Sequence, residues 1–352
     1  MQPSLQRDRS LISLWLFVGV TMVFIQILLG GITRLTGSGL SITRWEIVTG
    51  TLPPLNETRW NEAFDLYKQT PQYQKINEGM SLSQFKFIFF WEYVHRLWAR
   101  MMGFVFAIPF FYFLLRKSLS KLLLKRLLIV ILLAALAAVF GWIMVVSGLI
   151  ERPWVNAYKL TAHLGIGIAL FVYLFFTWLS YKGYQRKGVN KNLRNFLNLI
   201  IGITVVQLAF GGFVSGMKAA MSYPTWPMMH GQYIPEVLQH GENWNTSNFM
   251  MYDKSGFMAA FVQFIHRNLA YIIAVLVLVF AIRWMKTNSS EWHWISWVLI
   301  GIIVVQLGIG ILTLLSSIGS IPVFFGALHQ GLGIMFFTFL IYIHQVMKPI
   351  KI

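Results

Sequence analysis

The chain has 352 residues, of which 57% are hydrophobic and 12% are charged. A soluble domain carries about twice that share of charged residues, so the composition excludes an ordinary soluble protein. The chain contains no cysteine. This excludes disulfides, zinc–thiolate sites, iron–sulfur clusters and thiolate-ligated heme.

Apolar residues fall in eight runs that are each long enough, at roughly 20 residues, to cross a hydrocarbon core. The runs lie at about 12–33, 86–115, 126–149, 157–181, 195–216, 257–284, 294–316 and 323–346. Two of the loops between them are long, at 35–85 and 217–256. The sequence therefore predicts an all-α membrane protein with eight transmembrane helices.

The basic residues that give the chain its net charge of +17 are unevenly distributed between its loops. If the N-terminus is inside, most of them lie in segments on the inner side: Arg7, Arg9, Arg116, Lys117, Lys121, Lys125, Arg126, Lys182, Arg186, Lys187, Lys191, Arg194, Arg283, Lys286, Lys348 and Lys351. The positive-inside rule then predicts a multi-pass protein of the inner (cytoplasmic) membrane with both termini cytoplasmic. This uneven distribution explains the positive charge by membrane topology. The lipid bilayer is then the expected partner, and no nucleic-acid-binding surface is needed to explain the charge.

The two halves of the chain repeat one another. The segment QILLGG (26–31) recurs as QLAFGG (207–212), EYVHR (92–96) as QFIHR (263–267), and TAHLG (161–165) as ALHQG (327–331). At the offset of the first pair, Trp45, Gly50 and Pro54 match Trp226, Gly231 and Pro235. Because each copy has an even number of spans, both insert with the same orientation. We predict two parallel-repeat four-helix bundles, 1–190 and 191–352.

Four of the eight histidines recur in the repeat: His95, His163, His266 and His329. At a rise of ~1.5 Å per residue, all four lie ~10–14 Å below the outer ends of their spans. Two histidines at one level of a four-helix unit fit the two axial ligands of a heme. The alternatives are interhelical hydrogen bonds, or zinc, for which no third ligand recurs. We expect solvated or interfacial roles for His230, His240, His293 and His344.

Arginines accompany two of these histidines directly. Arg96 follows His95 and Arg267 follows His266, and both are candidates to pair with heme propionates. Arg34 and Arg44 are further candidates in the first half. The alternative for each is a side chain that reaches to the membrane interface.

A carboxylate stands in only one of the two copies. Glu92 lies one helical turn from His95 on the same face, whereas Gln263 occupies the equivalent position beside His266. A carboxylate within the membrane is a functional candidate, here a proton relay or general base. The alternative is an ion pair with Arg96 or Arg100. Since glutamine does not ionise, we predict one half built for reaction and one for electron transfer.

The first long loop contains a helical pattern. Trp60, Ala63, Phe64 and Tyr67 follow the spacing of one apolar helix face. This predicts a helix that either lies on the outer membrane surface or packs on the outer ends of the spans.

Six segments together resemble the heme A synthase family, in the branch found in mitochondria and many Gram-negative bacteria. They are GGITRLTGSGLSITRW (30–45), YKQTPQY (67–73), EYVHR (92–96), TAHLG (161–165), QFIHR (263–267) and ALHQG (327–331). The resemblance covers nearly the whole chain. It implies eight helices in two halves, and oxidation of the methyl group at carbon 8 of heme O to a formyl group, giving heme A for cytochrome oxidase.

The resemblance also implies roles for residues and partners. His266 and His329 are expected to hold a resident heme b, while His95 and His163 face the substrate heme with Glu92 as the catalytic carboxylate. Heme O synthase and an external electron donor or acceptor are the implied partners. The residues alone leave two other functions open. One is a diheme b-type cytochrome that only transfers electrons, and the other is a heme carrier or transporter.

Overall fold

The computed structural model describes residues 3–43, 52–150, 153–183 and 190–347. Within these ranges, eight helices are long and apolar enough to cross a membrane. The prediction of an all-α, multi-pass membrane protein is thus confirmed. Arg44, Trp45 and Gly50, which entered the sequence analysis, lie outside the described residues.

The eight long helices are α1 (Pro3–Leu35), α4 (Leu82–Leu115), α5 (Lys121–Ile150), α6 (Ala157–Lys182), α7 (Lys191–Gly216), α10 (Phe257–Thr287), α11 (Trp294–Leu315) and α12 (Val323–Val346). Four short helices lie in the long loops: α2 (Glu57–Lys68), α3 (Pro71–Lys75), α8 (Glu236–Gln239) and α9 (Thr246–Met250). Several long helices begin earlier than the apolar runs predicted. Polar residues continue a helix past the end of an apolar run, so hydropathy underestimates helix length.

Packing divides the chain into two compact units, Met1–Tyr181 and Lys182–Ile352, here called the N-terminal and C-terminal units. In the C-terminal unit, α7 and α11 each pack against both α10 and α12. The histidine-bearing helices α10 and α12 therefore face one another across the bundle.

The apolar core of the C-terminal unit does not extend to the level of His266 in the bundle. On α10 the core includes Ile273, Val277, Phe280 and Trp284. Its first residue, Ile273, is seven positions beyond His266, which is ~10 Å along a helix. Close packing at one end of the bundle holds the helices together while the level of His266 stays available for another group.

In the N-terminal unit, α1 packs against α4 and α6. Trp98 of α4 donates to the carbonyl of Met22 at 2.9 Å. Aromatic contacts join α1 to α6, where the ring centroids of Phe17 and Trp178 are 5.2 Å apart. Helix α1 is thus the element to which both histidine-bearing helices of this unit attach.

The loop helix α2 packs on the first turns of α4. Phe64 and Tyr67 are buried, and their rings lie 5.0 and 5.2 Å from that of Phe85. Trp60 and Ala63 pack around the same cluster. Of the two arrangements that the apolar spacing allowed, the structure has the helix packed on the end of a span.

The chain turns sharply after α1, and this turn positions the functional residues. Gly37 takes a positive φ of 69°, a conformation that glycine adopts at little cost at the end of a helix. The amide of Ser38 then bonds the carbonyl of Thr33 at 2.9 Å, and Gln72 donates to the carbonyl of Gly37 at 2.9 Å. The turn brings the following residues back towards α4.

Candidate functional site

The carboxylate of Glu92 is buried, with 2% of the residue exposed, and it is fully hydrogen-bonded. One oxygen, Oε2, accepts from the amide and the hydroxyl of Ser41, both at 2.7 Å, and from the amide of Ile42 at 2.8 Å. The other oxygen, Oε1, accepts from Nη2 of Arg96 at 2.5 Å. A buried carboxylate is tolerated when it is paired and hydrogen-bonded in this way.

The ion pair with Arg96 is therefore present, as the alternative reading of Glu92 predicted. Arg96 also donates to the carbonyl of Ile42 at 3.3 Å. Its guanidinium is thus engaged by the same loop that binds the carboxylate. A role for Glu92 in moving protons, and for Arg96 in binding a propionate, stays a prediction.

In the C-terminal unit the position equivalent to Glu92 also faces the loop after the first span, but here the loop offers a hydrogen-bond acceptor instead of donors. Gln263, 3% exposed, donates to the carbonyl of Tyr223 at 3.2 Å. Arg267 donates to the same carbonyl at 2.8 Å. Tyr223 stands in the loop after α7 where Ile42 stands after α1. This loop presents an acceptor, so it suits a carboxamide rather than a carboxylate.

Two of the nitrogen donors of Arg267 are not used by the described residues. Its Nε and Nη1 atoms are buried and make no hydrogen bond within the described part of the structure. Buried cationic donors without a partner are rare and call for an anion or water. A heme propionate supplies such an anion, so Arg267 fits the role that the sequence assigned to it.

His266 and His329 are brought together. Their ring centroids are 6.2 Å apart and the ring planes are inclined at 75°. A metal held between two imidazoles by nitrogens at about 2 Å each places the ring centroids about 6 Å apart. The spacing therefore fits two axial ligands of one heme iron, and the Nδ1 atom of His266 is buried with no partner among the described residues.

His95 and His163 form the corresponding pair in the N-terminal unit and are close enough to interact electrostatically. The ring of His163 lies against the backbone carbonyl of Ala137 on α5. Its Nδ1 atom is buried without a partner in the described ranges. Thus each unit brings its two repeated histidines together.

A glycine on the preceding span accommodates every one of these four imidazoles, a feature that the sequence analysis missed. A β-carbon added at Gly30 would lie 3.3 Å from the His95 ring, and one at Gly141 would lie 3.1 Å from the His163 ring. The corresponding distances are 3.4 Å from Gly211 to His266 and 2.8 Å from Gly310 to His329. Larger side chains at these positions would displace the rings.

The other histidines lie outside these pairs. His240 is half exposed beside Glu236 and Glu242, and His293 bonds backbone carbonyls at its own helix start. Among the residues that the structure describes, no three His, Cys, Asp or Glu side chains form a cluster able to hold a metal ion. The zinc alternative therefore has no ligand set in those ranges.

Comparison with known proteins agrees with the motifs. Residues 13–341 match the family described as cytochrome oxidase assembly protein. Similar proteins include the heme A synthase of Nitrosospira multiformis, 38% identical over 96% of this chain and 93% of the relative. The heme A synthase of Caulobacter sp. (strain K31) is 38% identical over 99% of this chain and 100% of the relative, and that of Flavobacterium psychrophilum is 38% identical over 94% and 95%. The resemblance seen in the motifs is confirmed, and the chain belongs to the cytochrome oxidase assembly protein family.

Proposed function

We propose that this protein is a heme A synthase, an oxidoreductase that converts the methyl group at carbon 8 of heme O to a formyl group. The observation that carries the proposal is the unequal pair of sites on one repeated scaffold. One site has a buried carboxylate beside two histidines, and the other has a carboxamide. Relatives that match nearly the full chain and bear the name heme A synthase support the same reaction.

The overall chemistry defines what the protein must provide. Oxidation of a methyl group to a formyl group adds one oxygen atom and removes two hydrogens, with four electrons leaving the carbon. If the oxygen comes from water, four protons are released as well. With water as the oxygen source, the reaction needs an external electron acceptor, a group that accepts protons, and a pocket that holds the substrate macrocycle.

In the N-terminal unit, His95 and His163 are proposed to face the iron of heme O. Glu92 lies one turn from His95 and is held as a carboxylate by Ser41, Ile42 and Arg96. We assign the Glu92 carboxylate as a proton acceptor, with the Ser41 hydroxyl, 2.7 Å from Oε2, as one of its hydrogen-bond donors.

In the C-terminal unit, His266 and His329 are proposed to hold a resident heme b, with Arg267 pairing with a propionate. Such a heme supplies one-electron transfer. The ring spacing of 6.2 Å and the unpartnered nitrogens of Arg267 support this assignment. Gln263 contributes no charge, so the site lacks the proton acceptor of the other unit.

We place the protein in the cytoplasmic membrane with both termini inside, on the basis of the basic loops. Heme O synthase is the proposed source of the substrate, because it makes the farnesylated macrocycle on which the reaction acts. An external redox partner takes the electrons. A diheme cytochrome would need the four histidines but has no need for a carboxylate in only one site.

The test is to co-express the chain with a heme O synthase and to measure the extracted hemes by chromatography. Heme A should accumulate with the parent chain. Glu92→Gln should reduce the yield about a hundredfold or more, the usual contribution of a positioned proton-transfer group. The matched control is Glu236→Gln, since that carboxylate lies on an exposed loop helix. Equal heme A from the Glu92→Gln variant and the parent would refute the assigned role.

A further inference from the structure

Three of the spans that contact the histidines carry a glutamine one helical turn before the contacting glycine. The pairs are Gln26 with Gly30 on α1, Gln207 with Gly211 on α7, and Gln306 with Gly310 on α11. Residues four apart lie on the same face of a helix. On α5 the glycine is Gly141, and the position one turn before it is occupied by Ala137.

In the C-terminal unit both glutamines hydrogen-bond to the histidines. Nε2 of Gln207 donates to the backbone carbonyl of His266 at 3.0 Å and lies 3.5 Å from Nε2 of its ring. Nε2 of Gln306 donates to the carbonyl of His329 at 3.1 Å and lies 3.2 Å from Nδ1 of its ring. Each carboxamide thus bridges the main chain and the ring of one histidine, which restricts rotation of that imidazole.

The same carboxamides have an unused acceptor. The Oε1 atoms of Gln207 and Gln306 are buried and without a partner in the described ranges. When one ring nitrogen of a histidine binds a metal, the other carries a proton and needs an acceptor. The backbone carbonyls of Gln207 and Gln306 lie against the rings of His266 and His329 and can accept this hydrogen bond. The residues present therefore suit both the orientation and the protonation of a metal-bound imidazole.

His163 has no such partner. Its ring lies against the backbone carbonyl of Ala137, as the rings of His266 and His329 lie against those of Gln207 and Gln306, but the alanine side chain has no carboxamide to bond to it. Of the four repeated histidines, His163 is the one whose neighbouring helix lacks the glutamine.

We propose that Gln207 and Gln306 are positioning residues that fix His266 and His329 as permanent heme ligands, and that Ala137 leaves His163 as the exchangeable ligand of the substrate heme. This inference rests on the proposed function. It also gives a physical reason for the asymmetry. A resident heme gains from two rigid ligands, whereas a substrate that enters and leaves needs one ligand that releases it.

The first test replaces each glutamine by leucine, which keeps the size and removes the carboxamide. The full chain is purified, and its heme b content, midpoint potential and low-spin electron paramagnetic resonance signals are measured. Without the carboxamide the imidazole is no longer held in one orientation, and the orientation of an axial ligand affects the spectrum and potential of a heme. We expect heme b to be retained in Gln306→Leu and Gln207→Leu, with altered resonance signals and a shifted potential.

The control is Gln345→Leu, because Gln345 is also buried on α12, with an Oε1 atom that has no partner among the described residues, but lies more than four turns from His329. Its heme signals should equal those of the parent. Unchanged potentials and spectra in both test variants would overturn the inference while leaving the proposed function intact. Absence of heme b from the parent chain would overturn the heme b assignment itself, and the inference with it.

The second test installs the missing glutamine. Ala137→Gln should increase the amount of heme retained per purified chain and lower the rate of heme A formation, because His163 is then held in the way that His266 and His329 are. Ala137→Leu adds similar bulk without a carboxamide and should show no increase in heme. Equal heme content in the glutamine and leucine variants would overturn the role given to Ala137.

Discussion

The surroundings of Glu92 and Gln263 show how one scaffold makes two different sites. In both units a loop after the first span folds back onto the second span, through a residue with positive φ, Gly37 or Lys218. In the N-terminal unit this loop offers two amides and a hydroxyl to the carboxylate. In the C-terminal unit it offers the carbonyl of Tyr223. The difference between a charged and a neutral side chain thus follows from whether the loop presents donors or an acceptor.

The comparison extends to the arginines. Arg96 is neutralised by Glu92, whereas Arg267 keeps two buried nitrogens without a partner in the described structure. One unit therefore contains a closed ion pair, and the other contains a positive charge that an anionic ligand can neutralise. This is the physical basis for assigning reaction to the first unit and a bound propionate to the second.

The largest expected effect separates the two histidine pairs. His266→Ala should remove the heme b spectrum from the purified protein, because one of its two ligands is lost. His95→Ala should leave that spectrum in place while heme A formation falls below detection. Both are measured on purified chains by reduced-minus-oxidised spectra and heme extraction. If the two variants lose heme b equally, the assignment of one pair to the resident heme is wrong.

A smaller effect is expected from the arginines. Arg96→Leu leaves the buried Glu92 charge uncompensated and should cost about 3–5 kcal/mol of unfolding free energy. In protein from which the heme has been extracted, Arg267→Leu removes only one hydrogen bond to a carbonyl that Gln263 also bonds, and should cost about 1 kcal/mol. Unfolding in detergent, followed by circular dichroism, measures both. Equal destabilisation would contradict the difference in charge balance between the units.

The smallest effect concerns the serine in each loop. Ser41→Ala removes one of the four donors to the Glu92 carboxylate, and hydrogen bonds to charged groups contribute about 1.5–3 kcal/mol. Ser222 holds the same place in the second loop but is exposed, so Ser222→Ala should change stability by less than about 0.5 kcal/mol. The same unfolding measurement applies. A neutral Ser41→Ala would show that the two backbone amides and Arg96 hold the carboxylate without the hydroxyl.

Much of the candidate site was predictable because the repeat made it visible. The four histidines were found since each occurs at a matching position in both halves, which a single membrane histidine would not reveal. The glutamines were missed although the signal was present, because Gln26 and Gln207 begin the first repeated segments. Their contact with a histidine depends on which helices are neighbours, and periodicity along one helix carries no such information.

The sequence by itself determined the eight spans, the family and the correspondence between the two repeated halves, because hydropathy and repeated motifs are properties of the chain read in order. Only the tertiary structure decided what surrounds Glu92. Ser41 precedes it by 51 residues in the chain. The amino-acid composition of this loop would be the same whether its amides pointed towards Glu92 or away from it. The polarity of a buried site is set by the direction of backbone groups, and that direction exists only once the chain has folded.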